Sequence, residues 1–389
     1  MNELWTRRTL ISTAAVAGAT LPLLPTAAHA APRRRRTTLA PFTATSYLDP
    51  YASHGRTTYS RYIKALAIDS AGRIFPGHGD WSGNVGPIDV HYLDPTTGEF
   101  SAGLMAMQTE STEAIRSLDG RIVIPNSDPR GFWGGGSPFA IQQDSGAFLP
   151  SQLSNTLHAY DVCRLEGSYG SQAYAVIGNY IDAGHGVASN AVYFTTDGGA
   201  TFQVALYPAD VLEDARQQVC FWVRGALYVT AKSSLWRWNG KIPESWSNWH
   251  DYFTEVIPGL LHVDHYQVGH SSASNGTVAL MHARKGGRQG TYTYDGTVLR
   301  QVTSRYLPHL TATQAADGML YLLGPRGLVR TRDGLRWQIH LGTGELTTTY
   351  YSVAVDSTTV WGGTADSRIE GFASAAGPWR GFRTKNYRS

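Results

Sequence analysis

Short apolar runs separated by turns fill this chain, and one unit of them recurs. Each copy opens with a strand of small and apolar residues, turns through Gly or a similar residue, and enters a second short apolar strand. The copies span 64–75, 113–123, 161–174, 218–228, 267–278, 311–321 and 352–360. Their starts lie about 41 to 57 residues apart, the spacing of a structural repeat. Two further strand-like pieces follow each copy, as at 90–100, 292–298 and 328–337, often with Asp, Asn or Gly between them. Four short antiparallel strands at that period predict the blade of a β-propeller, and the copy number predicts an all-β, closed ring of seven four-stranded blades. A pair of β-sandwich domains would account for the strands but not for their regular spacing. The best helical candidate, 211–218, is only about two turns long. Residues 42–60 either add a strand or cover one end of the ring.

Residues 1–30 stand apart from this pattern. Arg7 and Arg8 directly precede an uncharged, alanine-rich run from Leu10 to Leu24, and Ala28-His29-Ala30 supplies a small-x-small cleavage site. The run is short for a transmembrane helix, although an uncleaved N-terminal anchor is the alternative. The paired arginines resemble a twin-arginine export signal, which implies a secreted bacterial protein cleaved near Ala30. Residues 31–41, with Arg33, Arg34, Arg35 and Arg36 in a row, read as a solvated basic linker, and 42–389 as a single propeller domain.

Charge then narrows the partners. The chain has 33 Lys and Arg against 30 Asp and Glu. Setting aside the six arginines named above and Glu3 leaves 27 basic against 29 acidic residues, so the domain lacks the basic excess that nucleic acid demands. No other run is long enough to span a bilayer. Cys163 and Cys220 form neither a disulfide framework nor a metal quartet. They occupy equivalent positions in neighbouring copies and read as two small buried residues, with a disulfide between them the alternative. Abundant Gly (42), Tyr (21) and Trp (11) suits short strands and tight turns.

One segment carries a family resemblance. Tyr193-Phe-Thr-Thr-Asp-Gly-Gly-Ala-Thr-Phe202 resembles the Asp-box hairpin of sialidase-like propellers, with Asp197 tying the turn and Phe202 packing between strands. The segment 330–337 resembles a shortened copy. Such hairpins lie on the outer edge of blades, so the resemblance implies the fold and not sialidase activity. No arginine triad maps onto this sequence.

Candidate chemistry follows from the ring. The first positions of the copies are Lys64, Glu113, Asp161, Gln218, Gln267, Thr311 and Ser352, which predicts polar groups converging on one face of the channel. Beside them fall His78, Asp80, Trp81, Asp128, Arg130, Asp182, His185, Lys232, His282, Arg284, Arg326 and Asp366, and just ahead of the inner strands Glu110, His158, Tyr160, His262, Asp264, His265, Tyr266, His309 and Tyr350. Seven of the twelve histidines beyond His29 belong to this set, and histidine serves both proton transfer and metal ligation. A wet channel lined with polar residues is the plain alternative.

Two mechanisms fit the inventory. A glycoside hydrolase needs two carboxylates, for which Asp80, Glu113, Asp128 and Asp161 are candidates. A polysaccharide lyase needs a base beside the uronate carboxylate and a cation for the enolate. His78, His185, His265, His282 and Tyr350 can serve as bases, Arg284 and Arg326 as cations, and the histidine content favours the lyase. Trp81 and Trp133 could stack on sugar rings, with Lys64, Arg130 and the remaining polar positions as further contacts. The His262-Val-Asp-His265 run offers two metal ligands, and a divalent metal is the one cofactor the inventory leaves open. Residues 131–136 are glycine-rich but lack a phosphate-loop lysine, and Gly-x-Ser-x-Gly and Cys-x-x-Cys-His are absent. The expected partner is extracellular carbohydrate, bound by a monomer. Because the ring positions differ from copy to copy, one specialised enzymatic site is favoured over a non-catalytic module that binds sugar or protein through repeated pockets.

Overall fold

In four copies the turn inside the repeat has the same physical cause. In the computed structural model, the Asp69 carboxylate accepts hydrogen bonds from the backbone of Ala71 (3.0 Å) and Arg73 (2.9 Å), closing the turn between Ala65–Ile68 and Ile74–Gly77. Asn275, Asp317 and Asp356 do the same for later copies, each accepting from amides two or three residues on. A short side-chain acceptor supplies the amide partners that a tight turn leaves unmatched, which is why Asp and Asn recur at this point. The structure describes residues 42–53, 61–79, 87–112, 114–125, 127–129, 137–182, 187–207, 218–263, 272–302, 311–314, 317–324, 327–342 and 350–374, all within one compact unit, Leu39–Ser389. The leader, the basic linker and the helical candidate at 211–217 lie outside them.

Every copy of the repeat forms the first hairpin of an antiparallel sheet. In the first sheet the hairpin is followed by Leu93–Asp94 and Glu99–Phe100; in the second, Arg116–Leu118 and Arg121–Pro125 are followed by Ser137–Gln142 and Phe148–Leu153. The third contains Thr156–Arg164, Tyr174–Asp182, Val187–Thr195 and Gln203–Leu206, and the fourth Cys220–Val223, Ala226–Ala231, Ser234–Trp238 and Phe253–Pro258. Ser272–Ser274, Ala279–Lys285, Arg288–Tyr294 and Leu299–Gln301 form the fifth, with Leu260–His262 also paired to its second strand. The sixth comprises Thr311–Gln314, Leu320–Gly324, Gly327–Thr331 and Gln338–Gly342.

The C-terminal sheet takes only three strands from its own repeat: Tyr350–Val355, Thr359–Thr364 and Arg368–Ser374. Phe42–Leu48 is its fourth, antiparallel to the last and in register from Phe42↔Ser374 to Leu48↔Arg368. Residues 42–48 therefore complete the far end of the chain, one of the two options the sequence left open for 42–60.

Neighbouring sheets pack face to face through apolar clusters. Leu66, Ile74 and Leu93 of the first sheet meet Ala354, Trp361 and Ile369 of the C-terminal one. Phe194 of the third meets Trp236, Trp238 and Phe253 of the fourth. The first strands touch in chain order, and Ala65–Ile68 touches Tyr350–Val355, so the order closes on itself. Strands covered on both faces explain why the sequence shows continuous apolar runs rather than strict alternation: all four residues of Cys220–Val223 and all six of Ala226–Ala231 are buried.

The turn at Asp197 is tied by its own carboxylate. Asp197 accepts from the Thr195 hydroxyl (2.7 Å) and from the amide and hydroxyl of Thr201 (3.0 and 2.6 Å), and Phe202 packs edge-on against Phe139 of the second sheet. Asp333 repeats the arrangement, accepting from the amides of Leu335 and Arg336 (2.9 and 2.8 Å) beneath buried Trp337. Replacing Asp197 by alanine is expected to cost about 1–2 kcal/mol, because it removes three acceptor contacts from a turn open to water. A lower urea midpoint with an unchanged slope would be its signature. Cys163 and Cys220 are free, buried neighbours, and burial pushes the Cys220 thiol well above its ordinary value.

Candidate functional site

In each of these sheets the first strand starts, and the second ends, on the same side. Among the described residues, a short ladder of strands lies at that side. Gly79 pairs with Ser111, Thr109–Ser111 pairs with Ser127–Pro129, and Ser127 pairs with His158 of the third sheet. Gly79 must be glycine: its φ is +120°, and a Cβ there would meet the Glu110 carbonyl oxygen at 2.3 Å. That close approach seats the preceding residue, His78, whose amide donates to the Thr112 hydroxyl (3.2 Å) while its carbonyl accepts from the Thr112 amide (2.9 Å).

His78 belongs to a buried trio with Asp49 and His91, in which one ligand atom from each side chain lies within 4.8 Å of the others. Asp49 follows the N-terminal strand and caps the short helix Pro50–Ser53, accepting from the amides of Tyr51 (2.8 Å) and Ala52 (3.2 Å). The His91 Nε2 lies 3.0 and 2.9 Å from the two Asp49 oxygens, its Nδ1 lies 3.1 Å from the Asp89 carbonyl, and the Tyr51 ring stacks on it at 4.2 Å. Burial pushes the Asp49 carboxyl up, but the hydrogen bond and charge of His91 outweigh it, leaving the group below its ordinary value. Burial, with the charges of His91 and Lys64, lowers His78 to about 4 against the opposing pull of Asp49. Asp49 and His91 escaped the sequence reading because neither belongs to a repeat position at the ring.

The ring position Asp161 is a correction. It does not line an open channel but is 1% exposed and bonded to Arg116, whose Nε and second terminal nitrogen lie 2.9 and 2.8 Å from Asp161 Oδ1. The remaining Arg116 nitrogen donates to the Ser272 carbonyl of the fifth sheet (2.9 Å), and Asp161 Oδ2 accepts from the Cys220 amide of the fourth (3.1 Å). One side-chain pair thus ties the first strands of four sheets together. Burial raises the Asp161 carboxyl above its ordinary value, and Arg116 offsets that only in part. A carboxylate at the centre of a narrow ring recruits a cation from the neighbouring sheet. Lys64 is corrected for a similar reason: it is fully buried rather than a contact on an open face.

Other candidates are placed as follows. His282 is buried, with Nε2 3.3 Å from the Gln289 amide nitrogen, and Arg284 is exposed two residues further along the same strand. Tyr350 is buried and donates to the Glu370 carboxylate. His158 and Tyr160 stack with ring centres 5.4 Å apart, and Tyr160 accepts from Asn179 (3.1 Å). Asp80, Trp81, Glu113, Arg130, Trp133, His185, His265 and Arg326 lie outside the described residues, as does the side chain of Asp128. A cleft lined by Asp317, Arg330, Arg332, Arg336 and Asp356 opens at the other ends of the sheets, where the repeat turns sit.

No protein-family model and no curated protein matches the chain. Among solved structures, virginiamycin B lyase from Staphylococcus aureus aligns with 86% of this chain and 99% of its own, at 12% identity and a TM-score of 0.50. A catalytically inactive histidine-to-alanine form of the same lyase, with quinupristin, aligns over the same shares at 13% identity and a TM-score of 0.51. The β-propeller domain of the Trilobed protease from Pyrococcus furiosus aligns with 89% of this chain and 96% of its own, at 11% identity and a TM-score of 0.46. At such identities the likeness concerns architecture alone: the chain has the β-propeller fold.

Proposed function

We propose that this chain is an exported, monomeric, seven-bladed β-propeller that cleaves an extracellular polysaccharide or glycoconjugate by lyase-type elimination. The observation that carries the reaction type is the placement of His282 and Arg284. They sit two residues apart, hence on one face of Ala279–Lys285, at the end of that strand nearest the ladder side. An imidazole removes the proton beside a uronate carboxylate, a guanidinium stabilises the enolate, and the glycosidic oxygen leaves as the carbon–carbon double bond forms, taking that proton back from the imidazolium. Gln289 orients His282 for this role.

Hydrolysis is the weaker alternative, because Asp161 is already consumed by Arg116. Virginiamycin B lyase, whose histidine-to-alanine form is catalytically inactive, is a fold-level precedent for histidine-dependent lyase chemistry on a propeller. Seven blades are supported by the agreement between the seven repeat copies and the sheets they begin, and export by Arg7, Arg8 and Ala28-His29-Ala30.

The test is a screen of protein beginning at residue 31 against neutral and uronate polysaccharides, reading new reducing ends together with the ultraviolet absorbance of unsaturated uronate. Both signals are expected, with His282→Ala and Arg284→Ala each lowering kcat by roughly 10²- to 10⁴-fold in a folded protein. Reducing ends alone would transfer the role to Asp80, Glu113 and Asp128. Silence with folded protein would favour a sugar- or protein-binding module.

A further inference from the structure

We propose that Asp49, His78 and His91 form a divalent-metal clasp, suited to zinc, that locks the chain's N-terminal segment onto the first sheet. It is independent of the elimination reading above.

The hydrogen-bond inventory leads to this conclusion. The Asp89 carbonyl can only accept, so the His91 Nδ1 facing it at 3.1 Å carries a proton. In the neutral ring Nε2 is then a bare acceptor, yet it lies 2.9 Å from an Asp49 oxygen, with both side chains fully buried. Two acceptors at that separation require a positive charge between them or on the ring. A second proton on His91 would satisfy this pair alone. It would leave His78 Nε2, a buried polar atom with no hydrogen-bond partner among the described residues, unmatched beside it. A metal ion satisfies all three at once.

The donors suit the ion. Two imidazoles and a carboxylate are ligands of choice for zinc, and a backbone carbonyl holding the far nitrogen of a ligating histidine is the usual outer support. Ligand atoms around a tetrahedral zinc lie about 3.3 Å apart, so the 2.9 Å pair needs slight widening, while all separations in the trio are within 4.8 Å. His78 is anchored through Thr112, and Asp49 through the amides of Tyr51 and Ala52, so each ligand is held by its own backbone. At His78 the buried Lys64 charge works against a cation and the Asp49 carboxylate works for one. Among the described residues Tyr51 and Phe100 give the trio aromatic cover, and all three of its side chains are buried. The role is therefore structural. Asp49 sits one residue past the strand that completes the C-terminal sheet, while His78 and His91 belong to the first sheet's own connection. The ion would bridge the two ends of the ring.

The decisive measurement uses the full chain, stripped with a chelator and titrated with zinc by calorimetry, with thermal unfolding followed in parallel. One equivalent is expected to bind, raising the melting temperature by roughly 5 °C at a hundredfold excess over Kd. Cobalt in place of zinc should give the visible absorption bands of a tetrahedral nitrogen–oxygen site. His78→Gln, which removes no hydrogen bond made by the ring's Nε2, should fold but lose both the zinc-dependent shift and the cobalt bands. Failure of the parent chain to take up zinc or cobalt, or an undiminished shift in His78→Gln, would overturn the clasp and leave Asp49 and His91 as an ion pair.

Discussion

Replacing Arg116 by alanine is expected to destabilise the fold by about 3–5 kcal/mol at neutral pH, the cost of leaving a buried carboxylate without its cation. Asp161 would keep only the Cys220 and Val162 amides and the weaker Ser272 hydroxyl contact. The second, third and fifth sheets would also lose the guanidinium that joins their first strands. The pH dependence tests the cause. Burial already raises Asp161, and without Arg116 its folded-state pKa rises further above the unfolded value. The penalty is therefore complete above the folded pKa and fades as the pH falls through it toward the unfolded one. Urea melts at pH 7 and near pH 4.5 should show the gap between variant and parent narrowing in acid. Asp161→Asn in the Arg116→Ala background should recover part of the loss. A variant within about 1 kcal/mol of the parent at pH 7 would mean that the pair does not hold the ring together.

Removing residues 1–48 is the second large perturbation. It strips the fourth strand from the C-terminal sheet, together with its seven registered positions against Arg368–Ser374. At a net 0.5–1.5 kcal/mol for each lost backbone hydrogen bond, the cost is roughly 4–8 kcal/mol, comparable to the whole margin of a typical domain. The strand left behind becomes an unpaired edge, so aggregation should accompany the loss. Protein beginning at residue 42 is the control and should melt close to the full chain. If both truncations melted alike, residues 42–48 would not be the closing strand. Adding the 42–48 segment as a peptide should restore part of the stability of the shorter form, since only pairing is missing.

How far the sequence could be read depends on the range of the interactions concerned. The hairpins were legible because they are local. Two apolar strands joined by a tight turn recur along the chain, and in four copies an Asp or Asn caps its own turn, at Asp69, Asn275, Asp317 and Asp356. The turn at Asp197 was equally legible, its partners Thr195 and Thr201 lying within four residues. The shared side on which the first strands start and the second strands end followed from strand direction. What the polar candidates do did not. Asp161 looked like a substrate contact because Arg116, 45 residues earlier, carries no mark in the sequence that it turns toward it. Asp49 and His91 are 42 residues apart in unremarkable contexts, and only ring closure brings them within 2.9 Å of each other and close to His78. The sequence by itself therefore determined the repeat, the strand-and-turn grammar and the all-β class. Tertiary structure alone decided which polar groups are consumed as ties across the ring and which are gathered into a site. Local hydrogen bonds are written within a few residues, whereas the pairing of buried charges depends on which strands the closed ring sets side by side.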